Sequence, residues 1–162
     1  MQTLDDRRDR MRAKAAAGLQ YAALPFNWSD GLQILLVTSR ETGRWVLPKG
    51  WPMARRKPHD AAAREAMEEA GVIGKVGKTA IGSYRYVKRL RHGEGVDCEV
   101  KIFPLKVGRQ LKHWREQHQR IARWFAPEAA ALAVQEPDLA ELIKDFAAAA
   151  KPPRKTAGRV AA

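Results

Sequence analysis

The sequence predicts an α/β fold, a mixed β-sheet sandwiched between helices. Three observations carry this. Strand-like runs occur both early and late in the chain. A helical segment bounded by Pro58 and Gly71 separates them. A final helix has a single apolar stripe, so one face packs on the rest of the domain. Strands that pair across long separations, with helices outside them, give this layering.

The elements follow in order. Residues 5–17 are charged and Ala-rich, a short helix or a disordered lead-in. Residues 20–26 (QYAALPF) read as a first strand closed by the turn-like NWSDG. Residues 31–39 (GLQILLVTS) are β-branched and apolar, the best strand in the chain. Residues 44–47 (RWVL) form a short strand that Pro48 and Gly50 stop. Pro58 suits a first helical turn, where its missing N–H costs nothing, and Gly71 suits the position just past the end. Residues 78–87, 96–105 and 120–125 are strand-like, and residues 127–134 look helical. In the last helix, opened by Glu136, Pro137 and Asp138, Leu139, Leu142, Ile143 and Phe146 recur at i, i+3, i+4 and i+7.

At 162 residues the chain is long enough to bury one real core. The expected division is a charged lead-in over residues 1–18, a folded domain over 19–150 and a basic flexible tail over 151–162. With 45% hydrophobic and 30% charged residues, wholesale disorder is not expected. The longest strongly apolar run, residues 34–37, is far too short to span a bilayer, so no membrane partner is expected. The opening MQTLDDRRDRMRAK has no apolar core of the kind a secretory signal needs. The single cysteine, Cys98, cannot form an internal disulfide and fits a reducing compartment, so the cytoplasm is the expected location. A formal net charge of +12 is concentrated in the tail and in the clusters 84–92 and 106–120, which attract polyanions or simply solubilise the surface.

Against that positive background, Glu65, Glu68 and Glu69 crowd into five residues. At about 100° per residue they share one helical face, with Ala62, Ala66 and Ala70 opposite and Ala63 nearby. Small residues there let the helix lie close to a sheet. Arg64 stands one turn before Glu68 and can pair with it. As a solvated stripe, three carboxylates in one turn repel one another. A hard divalent cation, which takes carboxylate and phosphate oxygens, would turn that repulsion into binding energy.

Gly50, Arg64, Glu65, Ala66, Glu68, Glu69, Gly71 and Val72 fall without a gap on the Nudix box, G-x5-E-x7-R-E-U-x-E-E-x-G-U, and the chain is identified as a member of that family. One position departs from the pattern: the first box glutamate is Arg56 here, which bears on the loop more than on the metal. Upstream, SRETGRWVLPKGW resembles diphosphoinositol polyphosphate phosphohydrolases, a branch that also cleaves diadenosine polyphosphates; downstream, IARWFAPEAA resembles their R-E-W-F element. Gln20 falls near where eukaryotic members place a basic residue.

The resemblance implies a Nudix fold and a phosphoanhydride hydrolase using Mg²⁺, with Mn²⁺ as an alternative. It implies that Glu65 and Glu69 bind the metal, with Glu68 directly or through water and the Gly50 carbonyl as a further ligand. Glu69 or Glu65 would take a proton from the attacking water, and Arg64 would orient the carboxylates. Glu94, Asp97 and Glu99 are candidates for an assisting acid outside the box. A phosphate-rich substrate needs cationic donors. Ser39, Arg40 and Lys49 match phosphate-contacting or loop positions; Arg85, Lys88 and Arg89 either add a second wall or are solvated surface cations, and for Arg91 and His92 the solvated surface is the expected reading. Trp45 and Trp124 are expected to pack in the core, whereas Trp51, beside the proposed metal, walls the pocket, stacks on a base or simply packs. The expected partner is a polyphosphorylated small molecule. RNA 5′ ends, triphosphates or nucleotide sugars are alternative substrates, and a non-catalytic nucleotide-binding domain is the rival class. Oligomeric state is not legible.

Overall fold

A computed structural model describes residues 4–89 and 93–154; Arg91, His92 and residues 155–162 of the tail lie outside the described residues. The chain opens with helix α1 (Leu4–Ala16), followed by β1 (Leu19–Asn27), β2 (Gln33–Thr38), β3 (Trp45–Val46) and β4 (Lys49–Gly50). Helix α2 (Pro58–Ala70) leads to β5 (Val72–Val76), β6 (Gly82–Arg89), β7 (Gly95–Gln110) and β8 (Ala122–Phe125), then to α3 (Pro127–Ala133) and α4 (Pro137–Ala149). Among the described residues no helix is long and apolar enough to cross a membrane.

The strands form one mixed sheet in the order β3-β2-β1-β7-β5, with β4 also paired to β1, β6 to β7 and β8 to β2. The parallel pair is β1 with β7, running from Leu19 opposite Glu99 to Phe26 opposite Lys106. Side chains alternate between the faces with period two. Ala22, Leu24, Ile34 and Leu36 therefore pack with Leu139 and Ile143 of α4. Their neighbours Tyr21, Ala23, Leu35 and Val37 pack with Ala61, Ala62, Ala66 and Ala70 of α2. The expected sandwich is thus realised, with α2 on one face and α3 and α4 on the other. This is the Nudix fold.

Most elements lie where the sequence places them, with instructive differences. Val72–Val76 is a strand that the pattern did not suggest: Gly74 and Lys75 dilute it, and it exists because it pairs antiparallel with residues 105–110 of β7. That pairing also carries β7 well beyond residue 105. The strand expected over 78–87 begins at Gly82 instead. On α2 the fourth buried alanine is Ala61, not Ala63. Trp45 packs edge-on against Phe125, with centroids 5.0 Å apart, and Trp124 packs against the α2-side core, both as expected.

Because Ala66 is wholly buried against the sheet, Ala66→Leu should destabilise the fold by about 1–3 kcal/mol through overpacking. Leu132→Ser, at a residue 87% exposed, should stay within about 0.5 kcal/mol. Urea titrations of the two variants check both values.

Candidate active site

Helix α2 starts at Pro58 and ends at Gly71, whose φ of 67° closes the helix with its N–H directed to the carbonyls of Ala66 and Met67. The alanine face fixes how near the helix lies to β1 and β4. One result is a tight contact: a Cβ on Gly50 would sit 2.1 Å from Glu65 Oε1. Glycine at 50 is required because the Glu65 carboxyl occupies the space a side chain would take.

Glu65 and Glu69 line a cleft of about 1000 Å³ between the β4–α2 loop, β6 and the start of α4. Burial, then the neighbouring carboxylates of Glu69, Glu68 and Glu116, push the Glu65 carboxyl up to about 8. Burial also pushes Glu69 up to about 7, against the pull of Arg120 and Lys49. The Lys49 ammonium is itself pushed down by burial, partly countered by Glu69 and Glu136.

The expected site residues separate into two groups. Gly50, Glu65, Glu69, Ser39, Arg40, Lys49, Lys88 and Arg89 all line the cleft. Glu68 does not: its Oε1 accepts from Arg64 Nε at 2.8 Å and lies 3.5 Å from Arg115. Arg64 therefore orients Glu68 and leaves the other two carboxylates to the cleft. Arg85 also lies off the cleft, 3.9 Å from Glu99 on an exposed stretch of β6 and β7. Arg85 sits mid-strand between the inward Tyr84 and Tyr86, with its side chain 74% exposed, whereas Arg89, of the same parity, reaches the cleft from the last position of β6. Of the candidate assisting acids, Glu99 pairs with Arg85, and Glu94 and Asp97 are exposed away from the cleft.

Of the further acids lining the cleft, Glu41, Glu116 and Glu136, the one beside Glu69 is Glu116, which the sequence reading missed. It arrives on a strap, residues 111–120, that crosses the end of α2. Leu111 N–H donates to Gly71 O at 2.8 Å, Trp114 covers Gly71, and Glu116 N–H donates to Glu68 O at 2.9 Å. The strap ends at Arg120, whose side chain is 10% exposed. Its Nη2 lies 3.4 Å from both Glu69 and Glu116, and its Nη1 donates to Thr38 O at 3.0 Å. Arg40 reaches the same Glu116 at 3.5 Å. The basic run that suggested a polyanion surface is thus partly spent on internal pairs.

The far wall was also missed. Arg44 Nη1 donates to Glu136 Oε1 at 3.1 Å, tying the turn before β3 to the start of α4. Gln20 is buried and accepts from Tyr86 Oη at 2.6 Å, so its carbonyl is already engaged. Lys49 sits 5.0 Å from the Tyr86 ring centre, and Lys88 sits 5.0 Å from that of Trp51. Trp51 therefore walls the pocket.

Among the described residues no three His, Cys, Asp or Glu side chains converge as a ready-made metal cage. The donors fit a hard cation even so. Two carboxylates with raised pKa values, Glu69 buried and Glu65 half-buried, face the cleft beside the Gly50 backbone, and Mg²⁺ uses one or two protein carboxylates, completing its shell with phosphate and water.

A mixed sheet between helices, with paired carboxylates over a cleft rimmed by cations, defines the class. The chain matches the NUDIX domain family over residues 19–146 and belongs to the Nudix family. It is 32% identical over 117 residues to mouse diphosphoinositol polyphosphate phosphohydrolase 3-alpha, covering 70% of this chain and 67% of that protein. It is 34% identical over 97 residues to the Arabidopsis thaliana protein named Nudix hydrolase 17, mitochondrial, covering 60% of this chain and 51% of that one. The chain spans about half the length of the curated Arabidopsis relatives it matches. The C. elegans Ap4A hydrolase structure shares the fold with a TM-score of 0.58 at 17% identity, covering 80% of this chain and 96% of that one.

Gly71→Ala should test the strap. Its φ is positive and a Cβ would meet Trp114 at 2.3 Å, so we expect a loss of about 1–3 kcal/mol. Hydrogen exchange across residues 111–120 should quicken more than across β1.

Proposed function

We propose that the chain is a divalent-metal-dependent hydrolase that cleaves a phosphoanhydride bond in a polyphosphorylated small molecule, of the dinucleoside polyphosphate or diphosphoinositol polyphosphate type. The observation that carries this is the single cleft in which Glu65, Glu69 and Gly50 stand together with Arg40, Lys49, Lys88 and Arg89. The names of the similar mouse and C. elegans proteins support the substrate class.

Glu65 and Glu69, with the Gly50 carbonyl, would hold Mg²⁺ or Mn²⁺, which when bound offsets phosphate charge and lowers the pKa of water. The remaining work falls to side chains. Arg40, Lys88 and Arg89 hold non-bridging phosphate oxygens, Arg by paired N–H donors and Lys as a point charge. Water attacks phosphorus, its proton passes to the carboxylate of Glu65 or Glu69, and the bridging P–O bond breaks with its electron pair on the leaving phosphate. The cations offset the charge that accumulates there. Arg120 keeps Glu69 and Glu116 in place from behind, and Arg64 fixes Glu68. Neither reaches the substrate in this account.

The test is product analysis with and without Mg²⁺ on diadenosine tetra-, penta- and hexaphosphate, a diphosphoinositol polyphosphate, ADP-ribose, triphosphates and 5′-triphosphate RNA. Wild type should cleave the dinucleotides or the inositol pyrophosphate only with metal. Glu69→Gln should lower kcat by roughly a hundredfold or more. Gly50→Ala should also lower kcat, because it displaces the Glu65 carboxyl. Metal-independent turnover, or full activity in Glu69→Gln, would refute the assignment.

A further inference from the structure

A second cavity, of about 320 Å³, lies along the other side of α2. At about 100° per residue, Asp60, Ala63, Arg64 and Met67 occupy the flank turned away from Glu65 and Glu69. The floor is apolar, made by Met67, Val72, Ile73 and Leu105. The rim is cationic: Arg55, Arg56 and Arg64 face one carboxylate, Asp60, which already lies 3.5 Å from His59.

Two features show that the rim is more than a solvated surface. The loop bearing Arg55 and Arg56 is folded back, with both backbone N–H groups donating to Met53 O at 3.2 Å, so the two side chains are presented together at the start of α2. Arg64 is fixed through Nε to Glu68, which leaves its terminal nitrogens free of that bond. Among the described residues neither Arg55 nor Arg56 has an ion pair or side-chain hydrogen bond, although three guanidiniums bordering one hollow repel one another. Arg56 stands at the box position where the family pattern has glutamate, so the charge at that one position of the rim is reversed relative to the pattern.

We propose that this groove is a binding site for a small phosphate-chain anion, separate from the catalytic cleft, with Arg55, Arg56 and Arg64 as its donors. Guanidinium forks match phosphate oxygens in pairs. The volume is at the lower end of small-ligand pockets, enough for a short polyphosphate or the phosphate tail of a nucleotide. The apolar floor lies where an organic group attached to the phosphates would rest. The inference is independent of the reaction assigned to the cleft.

The test is a titration of the full, ¹⁵N-labelled chain with pyrophosphate and, separately, with ADP, at constant ionic strength in EDTA. Amides of Ala63, Ile73 and Gly74 should shift and saturate as a set distinct from Gly50 and Trp51. A tighter response to ADP identifies a nucleotide ligand, and one to pyrophosphate a free polyphosphate. R55A/R56A should weaken the groove set at least tenfold while leaving the Gly50 and Trp51 shifts intact, and R56E should do the same. The proposal is overturned if the groove amides stay silent at millimolar anion, or if their shifts survive in R55A/R56A.

Discussion

The site depends on how closely α2 can approach the sheet. Four alanines, Ala61, Ala62, Ala66 and Ala70, keep the buried face thin enough for the helix to lie directly over β1 and β4. Larger residues would lift the helix and with it Glu65, whose carboxyl fits against the bare Cα of Gly50. The geometry of the acidic pair is therefore set by core packing. Gly71 completes the arrangement: its left-handed turn ends the helix, and the hollow above its Cα receives Trp114. The strap seated there brings Glu116 and Arg120 to the cleft.

The same packing creates an electrostatic strain that the cations only partly relieve. Glu69 is buried and Glu65 half-buried beside it, and Glu116 adds a third negative neighbour. Arg120 and Lys49 lean the other way, yet both carboxyls remain well above the usual range. Glu68, held by Arg64 and Arg115, lies off the cleft, so the box divides its three glutamates between structure and site. A group that binds phosphate and carboxylate oxygens together would relieve the strain, which connects the packing of α2 to the proposed chemistry.

The sequence made the box helix, the two leading strands and the final amphipathic helix legible, because each is declared by local pattern. Pro58 and Gly71 bracket α2, and residues 34–37 form a continuous apolar run. What it concealed is long-range. The strand Val72–Val76 owes its existence to pairing with β7. Glu116 sat within a basic stretch and had no signal of its own; its place follows from the strap crossing Gly71. Arg85 shows a subtler limit, since it looked like Lys88 and Arg89 in composition, yet it sits mid-strand beside Glu99 while those two reach the cleft from the end of β6. Conversely, Arg56 was legible as a departure, but its surroundings became visible only when α2 and β5 were set side by side.

The most direct test of the central claim is a structure of the protein with Mn²⁺ and a non-hydrolysable dinucleoside polyphosphate analogue, using anomalous scattering to locate the metal. Metal should lie beside Glu65, Glu69 and the Gly50 carbonyl, next to a phosphate that Arg40 or Lys88 also contacts. A metal bound elsewhere, or an analogue bound in the cleft with no metal beside the two carboxylates, would contradict it.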